Sequence, residues 1–297
     1  MSIIEESGTS TAVSAPPPGR ITRLDSSSLK VTQWRVIRSE WIKLRTVRSW
    51  LVMIGAAVVV VVGMGALAAA VASGAVTAPT PPGAGGAANE RNPFASTDPT
   101  ALSMAGVTLA QLIVGVLGVL FVSNEYANGS IRNWFGAVPR RLPVLWGKAV
   151  VLTVTLAVVM VLACLAAFLL GQAILGDDTS TTLAADGVLR AVVGSGLYLA
   201  GIGLFGIAIG ALLRNTAGAI AVVVASLLII PGLIGLILPD SWNQNVSPYL
   251  PSTAGQAFTT VHPADTLLSS GAGAAVFVGW LVVLLAGAAV LIRRRDT

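Results

Sequence analysis

The chain has 297 residues, of which 55% are hydrophobic and only 10% charged, with a formal net charge of +5. That is too little charge to cover a water-soluble domain of this length. Several uncharged apolar stretches exceed the roughly 20 residues that cross a bilayer as a helix, so composition points to an all-α polytopic membrane protein.

Residues 1–29 are rich in Ser, Thr and Pro and have no apolar core. This predicts a disordered cytoplasmic tail that stays on the mature protein, not a cleaved signal peptide. Residues 30–49 change character. Trp34, Ile37, Trp41 and Leu44 fall within an arc of roughly 80° at 100° per residue, with Arg35, Arg38, Lys43 and Arg45 mostly outside it. A helix with aromatic anchors and a basic remainder is predicted to lie in the plane of the membrane interface.

Six spans are predicted, at about 50–73, 102–123, 149–171, 189–210, 217–238 and 272–292, with 50–297 forming one transmembrane domain. The Pro- and Gly-rich connection 74–101 reads as a loop, and only a tight turn at Arg214-Asn215 separates spans four and five. The longer connection 239–271 has room for short helices, for example after Pro251 with Ser252 or Thr253 as a cap.

Charge sets the expected orientation. With both termini inside, sixteen of the eighteen Lys and Arg lie on the inner side, and only Arg91 and Arg190 lie outside. The pI near 10 follows from this topology and does not call for nucleic acid.

Apart from Arg190 at the outer edge of the fourth, the predicted spans contain no Asp, Glu, Lys, Arg or His, and Gln111 is the most polar side chain of their interiors. Proton relays, ion-coupled transport and intramembrane proteolysis need such groups or a metal site. His262, the single histidine, sits in a predicted outer loop and reads as a surface residue. Cys164 lies mid-span, has no disulfide partner, and reads as a packing residue. A phosphate-cradling G-x-x-x-x-G-K-[ST] loop is missing as well. Gly147-Lys148 is followed by Ala149, and position 142 is Leu, so this chain does not hydrolyse ATP alone. No cofactor or metal is expected on it.

Two further features are local. Gly206 and Gly210 form a small-xxx-small pair in a glycine-dense fourth span, suited to close helix approach within one bundle or, less readily, to a dimer contact or conduit wall. Pro231 predicts a kink in the fifth span.

The polar, basic segment from Ser123 to Arg141 stands between two apolar runs. Glu125 suits the first turn of a short interfacial helix, and Ile131, Trp134 and Phe135 share one face before Pro139 stops it; an ordinary loop held inside by its positive charge is the alternative. Arg140, Arg141 and Lys148 lie where anionic headgroups attract cations.

Together these motifs resemble the permease subunit of ABC type 2 exporters, of the actinobacterial type. The resemblance rests on R-x-x-R-S-E-W-x-K-L-R-T-x-R-S from Arg35 to Ser49 and on N-E-Y-x-x-G-[ST]-I-R with P-R-R from Asn124 to Arg141. The order of six spans and the segment from Tyr249 to Ala257 support it. It implies residence in a bacterial cytoplasmic membrane, a second permease copy, identical or paralogous, and a separate ATP-binding subunit that carries ATP and Mg. It also implies that residues 30–49 are a connecting helix and that the loop between spans two and three holds a coupling helix. Glu125, Tyr126, Gly129, Ile131 and Arg132 would then contact the ATPase or brace that helix. The alternative is a non-transport scaffold or sensor subunit whose basic face recruits a cytoplasmic partner.

Overall fold

The computed structural model describes residues 33–76, 98–127, 142–176, 179–237, 239–264 and 266–294. The expected tail 1–29 lies outside them. Among the described residues all regular structure is helical, and six helices are long and apolar enough to cross a membrane: Arg48–Ala72, Pro99–Asn124, Pro143–Leu175, Val188–Leu213, Thr216–Ile237 and Ser270–Arg294. The chain is a multi-pass membrane protein.

Helix α1 covers Gln33–Thr46 and α2, the first span, covers Arg48–Ala72. Only Val47 separates them, in an extended conformation that turns the chain from one axis to the next. The second span starts as a short helix, α3 (Pro99–Ser103), with Pro at its first turn and Asp98 as its cap. The Asp98 carboxylate accepts the N–H groups of Thr100 at 2.7 Å and Ala101 at 3.3 Å, satisfying donors that a helix start leaves open. After the turn at 104–106 the span continues as α4 (Val107–Ala127).

The third span, α5, runs 34 residues from Leu142 to Leu175. At 1.5 Å per residue it is about 50 Å long, well beyond the ~30 Å hydrocarbon layer, so at least one end projects past it. The helix starts before the predicted span edge at 149, so Lys148 lies within it.

The fourth span, α6 (Val188–Leu213), is the hub. Of its apolar stretch, 78% is buried inside the bundle, against 11% for the fifth span and 17% for the last. Glycine permits this. A Cβ on Gly118 of α4 would strike the carbonyl oxygen of Gly203, and one on Gly206 would strike that of Gly115. Gly210 makes a looser but still tight approach to the Val119 backbone, at 3.1 Å from where its Cβ would be. Gly206 and Gly210 therefore face α4 of the same chain, and backbone-to-backbone contact supplies the dispersion that holds helices together where the solvent is itself apolar.

Arg214 ends α6 in the left-handed region, at φ 51°, and the Asn215 side chain accepts the Gly218 N–H to start α7 (Thr216–Val224). Between α7 and α8 (Ile230–Ile237) lies a π-helical turn, Ala225–Ile229, closed by the Ile230 N–H on the Ala225 carbonyl. Pro231 follows at once. Having no N–H, it cannot bond the preceding turn, and the wider turn adapts the backbone while the helix continues. Leu228, Ile229, Leu233, Leu236 and Ile237 on this span are all exposed.

The connection to the last span contains α9 (Asp240–Val246) and α10 (Pro251–Thr259), and α11 (Ser270–Arg294) is the sixth span. Neither Ser252 nor Thr253 caps α10. Leu250 holds the cap position without a side-chain bond, because Pro251 starts the helix and places Ser252 inside it, buried. This helix wedges between α6 and α11, where Gly255 meets the Tyr198 ring and Gly273 meets Ala254 and Ala257.

Candidate functional site: the junction of α1 with spans one to three

Helix α1 buries a face beside the Trp34–Trp41 arc predicted for the interface, and shares only Leu44 with it. Val36, Glu40 and Leu44 are its buried residues, centred roughly 80° around the helix from the Trp34–Trp41 arc. Trp34 and Trp41 are exposed, Ile37 is half-buried, and Arg35, Arg38 and Arg45 are exposed. The helix thus has two apolar surfaces, one taken by protein and one exposed.

The protein-facing surface lies along the start of α5. Gln33 Nε2 donates to the Pro143 carbonyl at 3.0 Å. Four residues on, Gly147 of α5 has no side chain, and Val36 packs against the space a Cβ would need. That close approach brings Glu40 to Lys148. Lys148 Nζ donates to Glu40 Oε2 at 2.9 Å, and Lys43 Nζ donates to Oε1 at 2.8 Å. Both members of the longer pair are buried, Glu40 at 1% and Lys148 at 4% exposure.

Lys148 also ties in the second span. Its Nζ lies 3.4 Å from the Phe121 carbonyl and 4.7 Å from the centre of the Phe121 ring, in cation–π range. Trp50 of α2 meets the same ring edge-on, with centroids 5.3 Å apart. The expected headgroup-facing Lys148 is therefore an internal strut. Two charges withdrawn from water are tolerable here because each meets the other and further hydrogen-bonding groups.

Helix α4 runs through Glu125 and Tyr126 to Ala127, so Glu125 lies in the last turn of that helix, just past the span, and not in the first turn of a new one. Extending an existing helix adds one bond per residue, whereas starting another requires a new nucleus. Gly129, Ile131 and Arg132, with Arg140 and Arg141, lie outside the described residues. The junction nevertheless joins both borders of that segment, since Phe121 precedes it and Lys148 follows it.

Glu40 is the residue that sequence reasoning passed over. Its signal was a lone acid in a basic helix, four positions from both Val36 and Leu44. The polar groups of the junction bind one another: Glu40 accepts from Lys148 and Lys43, and Lys148 also reaches the Phe121 carbonyl. Among the described residues no three His, Cys, Asp or Glu side chains gather as metal ligands. It is built to hold helices in register.

A family model described as ABC-2 family transporter protein matches residues 36–232. The chain belongs to that family. The matched stretch of this ABC-2 protein begins in α1 at Val36, takes in the Glu40–Lys148 junction, and ends beyond Pro231 in the fifth span. Helix α10 and the last span lie outside it. No curated protein matches the chain.

Proposed function

We propose that this ABC-2 protein is the permease subunit of an ATP-driven exporter in a bacterial cytoplasmic membrane. It forms the pathway with a second permease copy and is powered by a separate ATP-binding subunit that carries ATP and Mg. The single observation that carries the coupling role is the Glu40–Lys148 pair, which joins α1 to the spans flanking 128–141.

On this reading both termini are cytoplasmic, consistent with the distribution of Lys and Arg. Closure of the ATP-binding subunits pushes the coupling segment, with Glu125, Tyr126, Gly129, Ile131 and Arg132 as its contact residues. The strut passes that displacement to α1, α4 and α5 together. The second copy sits against the sparsely covered fifth span. The chain itself needs only two helix arrangements within a few kcal/mol of each other.

The test is a gentle pull-down of the tagged chain from its own host, with stoichiometry by mass spectrometry. A Walker-type ATPase in equal amount supports the exporter. A chain that emerges after crosslinking with a non-ATPase partner, or alone, replaces it with the scaffold reading. In the intact complex, Glu125→Ala is expected to leave insertion unchanged and to separate ATP hydrolysis from export. Normal export by that variant removes the coupling assignment.

A further inference from the structure

At the end of the bundle opposite α1, a cavity of about 340 Å³ opens between α3, α4, α6 and α10. Its volume falls in the roughly 300–1,000 Å³ range of small-molecule sites. In a chain so poor in polar groups its wall is unusual: it includes Asp98, Thr108, Gln111, Tyr198, Gln256 and His262. Three of the four elements around it are separated by long stretches of sequence.

The deeper part of that wall is rigid and incompletely satisfied. Tyr198 is 5% exposed and Gln111 is 6% exposed. The tyrosine hydroxyl donates to Gln111 Oε1 at 2.6 Å. Phe258 and Phe277 flank the Tyr198 ring, and Gly255 makes room for it. The carboxamide oxygen of Gln111 is thereby engaged, which leaves its NH₂ group as the donor this residue offers on the cavity wall. An oxygen brought into the cavity can accept from that amide and gain a hydrogen bond on an otherwise weakly polar wall. Thr100, on the same wall and 2% exposed, has a buried Oγ1 without a partner among the described residues, and burying it unmet is costly.

Charge narrows the ligand. Asp98 brings a carboxylate to the wall, and no Lys or Arg is among the described residues lining it. An anionic head would face the Asp98 carboxylate with no lysine or arginine among the described lining residues to pair with it. Met104, Val107 and Val261 add apolar surface beside the polar groups. We propose that this cavity binds an uncharged amphiphile, docking a carbonyl or hydroxyl oxygen of its head on the Gln111 amide. This deepens the exporter reading, on which describing the molecule as cargo rests; the binding itself needs neither ATP nor a partner.

The test is photolabelling of the full-length chain in lipid nanodiscs, without ATPase. Two probes of equal chain length carry the same diazirine beside the head: N-dodecylacetamide and dodecanoate. The amide is expected to label peptides containing Thr108–Gln111 or Gln256–His262, and dodecanoate is not. Gln111→Leu is expected to weaken the labelling about five-fold, the effect of one neutral hydrogen bond. Thr108 is exposed, so Thr108→Phe fills the cavity mouth without entering the core and is expected to abolish labelling with an unchanged elution profile. Labelling that persists in both variants overturns the proposal, as does equal labelling by dodecanoate. A chain that takes the amide probe but purifies without an ATPase keeps the site and loses the exporter.

Discussion

Glu40 and Lys148 stand 108 positions apart in the chain and meet at 2.9 Å with both side chains buried. Removing one partner of such a pair leaves the other charge desolvated without it, which costs about 3–5 kcal/mol. We expect Glu40→Ala to lower thermal stability in detergent by that order. The exchange Glu40→Lys with Lys148→Glu should recover part of the loss. An unchanged melting curve for Glu40→Ala would show that the pair does not hold α1 to α5. The bridge from Glu40 to Lys43 contributes less, because the Lys43 side chain is 37% exposed and solvent screens it.

Gly206 meets the Gly115 carbonyl and Val119 N–H of α4, whereas Gly279 on the last span has nothing near its absent side chain. Gly206→Val should therefore separate the two helices and cost at least the ~1–3 kcal/mol of an overpacked core. Gly279→Ala should be neutral, or stabilising by up to about 1 kcal/mol through helix propensity. Thermal aggregation followed by size-exclusion chromatography distinguishes the two. Equal tolerance at both positions would contradict the packing of α4 on α6.

Trp34 is 70% exposed and Trp41 is 42% exposed, on a surface that the bundle does not cover. If this surface rests in the bilayer, Trp34→Asp with Trp41→Asp should release it while leaving the Val36–Glu40–Leu44 contacts in place. Arg38→Cys serves as reporter, since the native Cys164 is buried and should stay silent. A membrane-impermeant thiol reagent should react faster at position 38 in the double variant. Equal rates would mean that the tryptophans face something other than lipid.

The π-turn before Pro231 gives a different kind of test. Pro231→Ala restores an N–H that an α-helix would bond to the Leu227 carbonyl. Hydrogen exchange across 225–231 should slow as the turn regularises. If exchange there is unchanged, the turn is held by the burial of Leu227, which is 3% exposed, and not by the proline.

Much of this protein is determined locally. Transfer of a twenty-residue apolar run into lipid depends on that run alone, so six spans and an all-helical fold could be read directly from hydropathy. The motifs around Arg35–Ser49 and Asn124–Arg141 pointed to the family without any geometry. The glycines of α6 announced close packing, although not its partner.

Tertiary structure decided what depends on residues far apart. Periodicity placed the apolar arc of α1 on its tryptophans because hydrophobicity alone cannot distinguish a lipid-facing surface from a protein-facing one. The buried face was chosen by Gly147, which lets Val36 approach and delivers Glu40 to Lys148. Lys148 looked like an edge for the same reason: its cost in the interior is cancelled by a carboxylate that no window of sequence contains. The same holds for the cavity, where Gln111, Tyr198 and His262 read separately as a polar span residue, a hydroxyl and a surface histidine. Only the packing of α10 against α6 puts them on one wall.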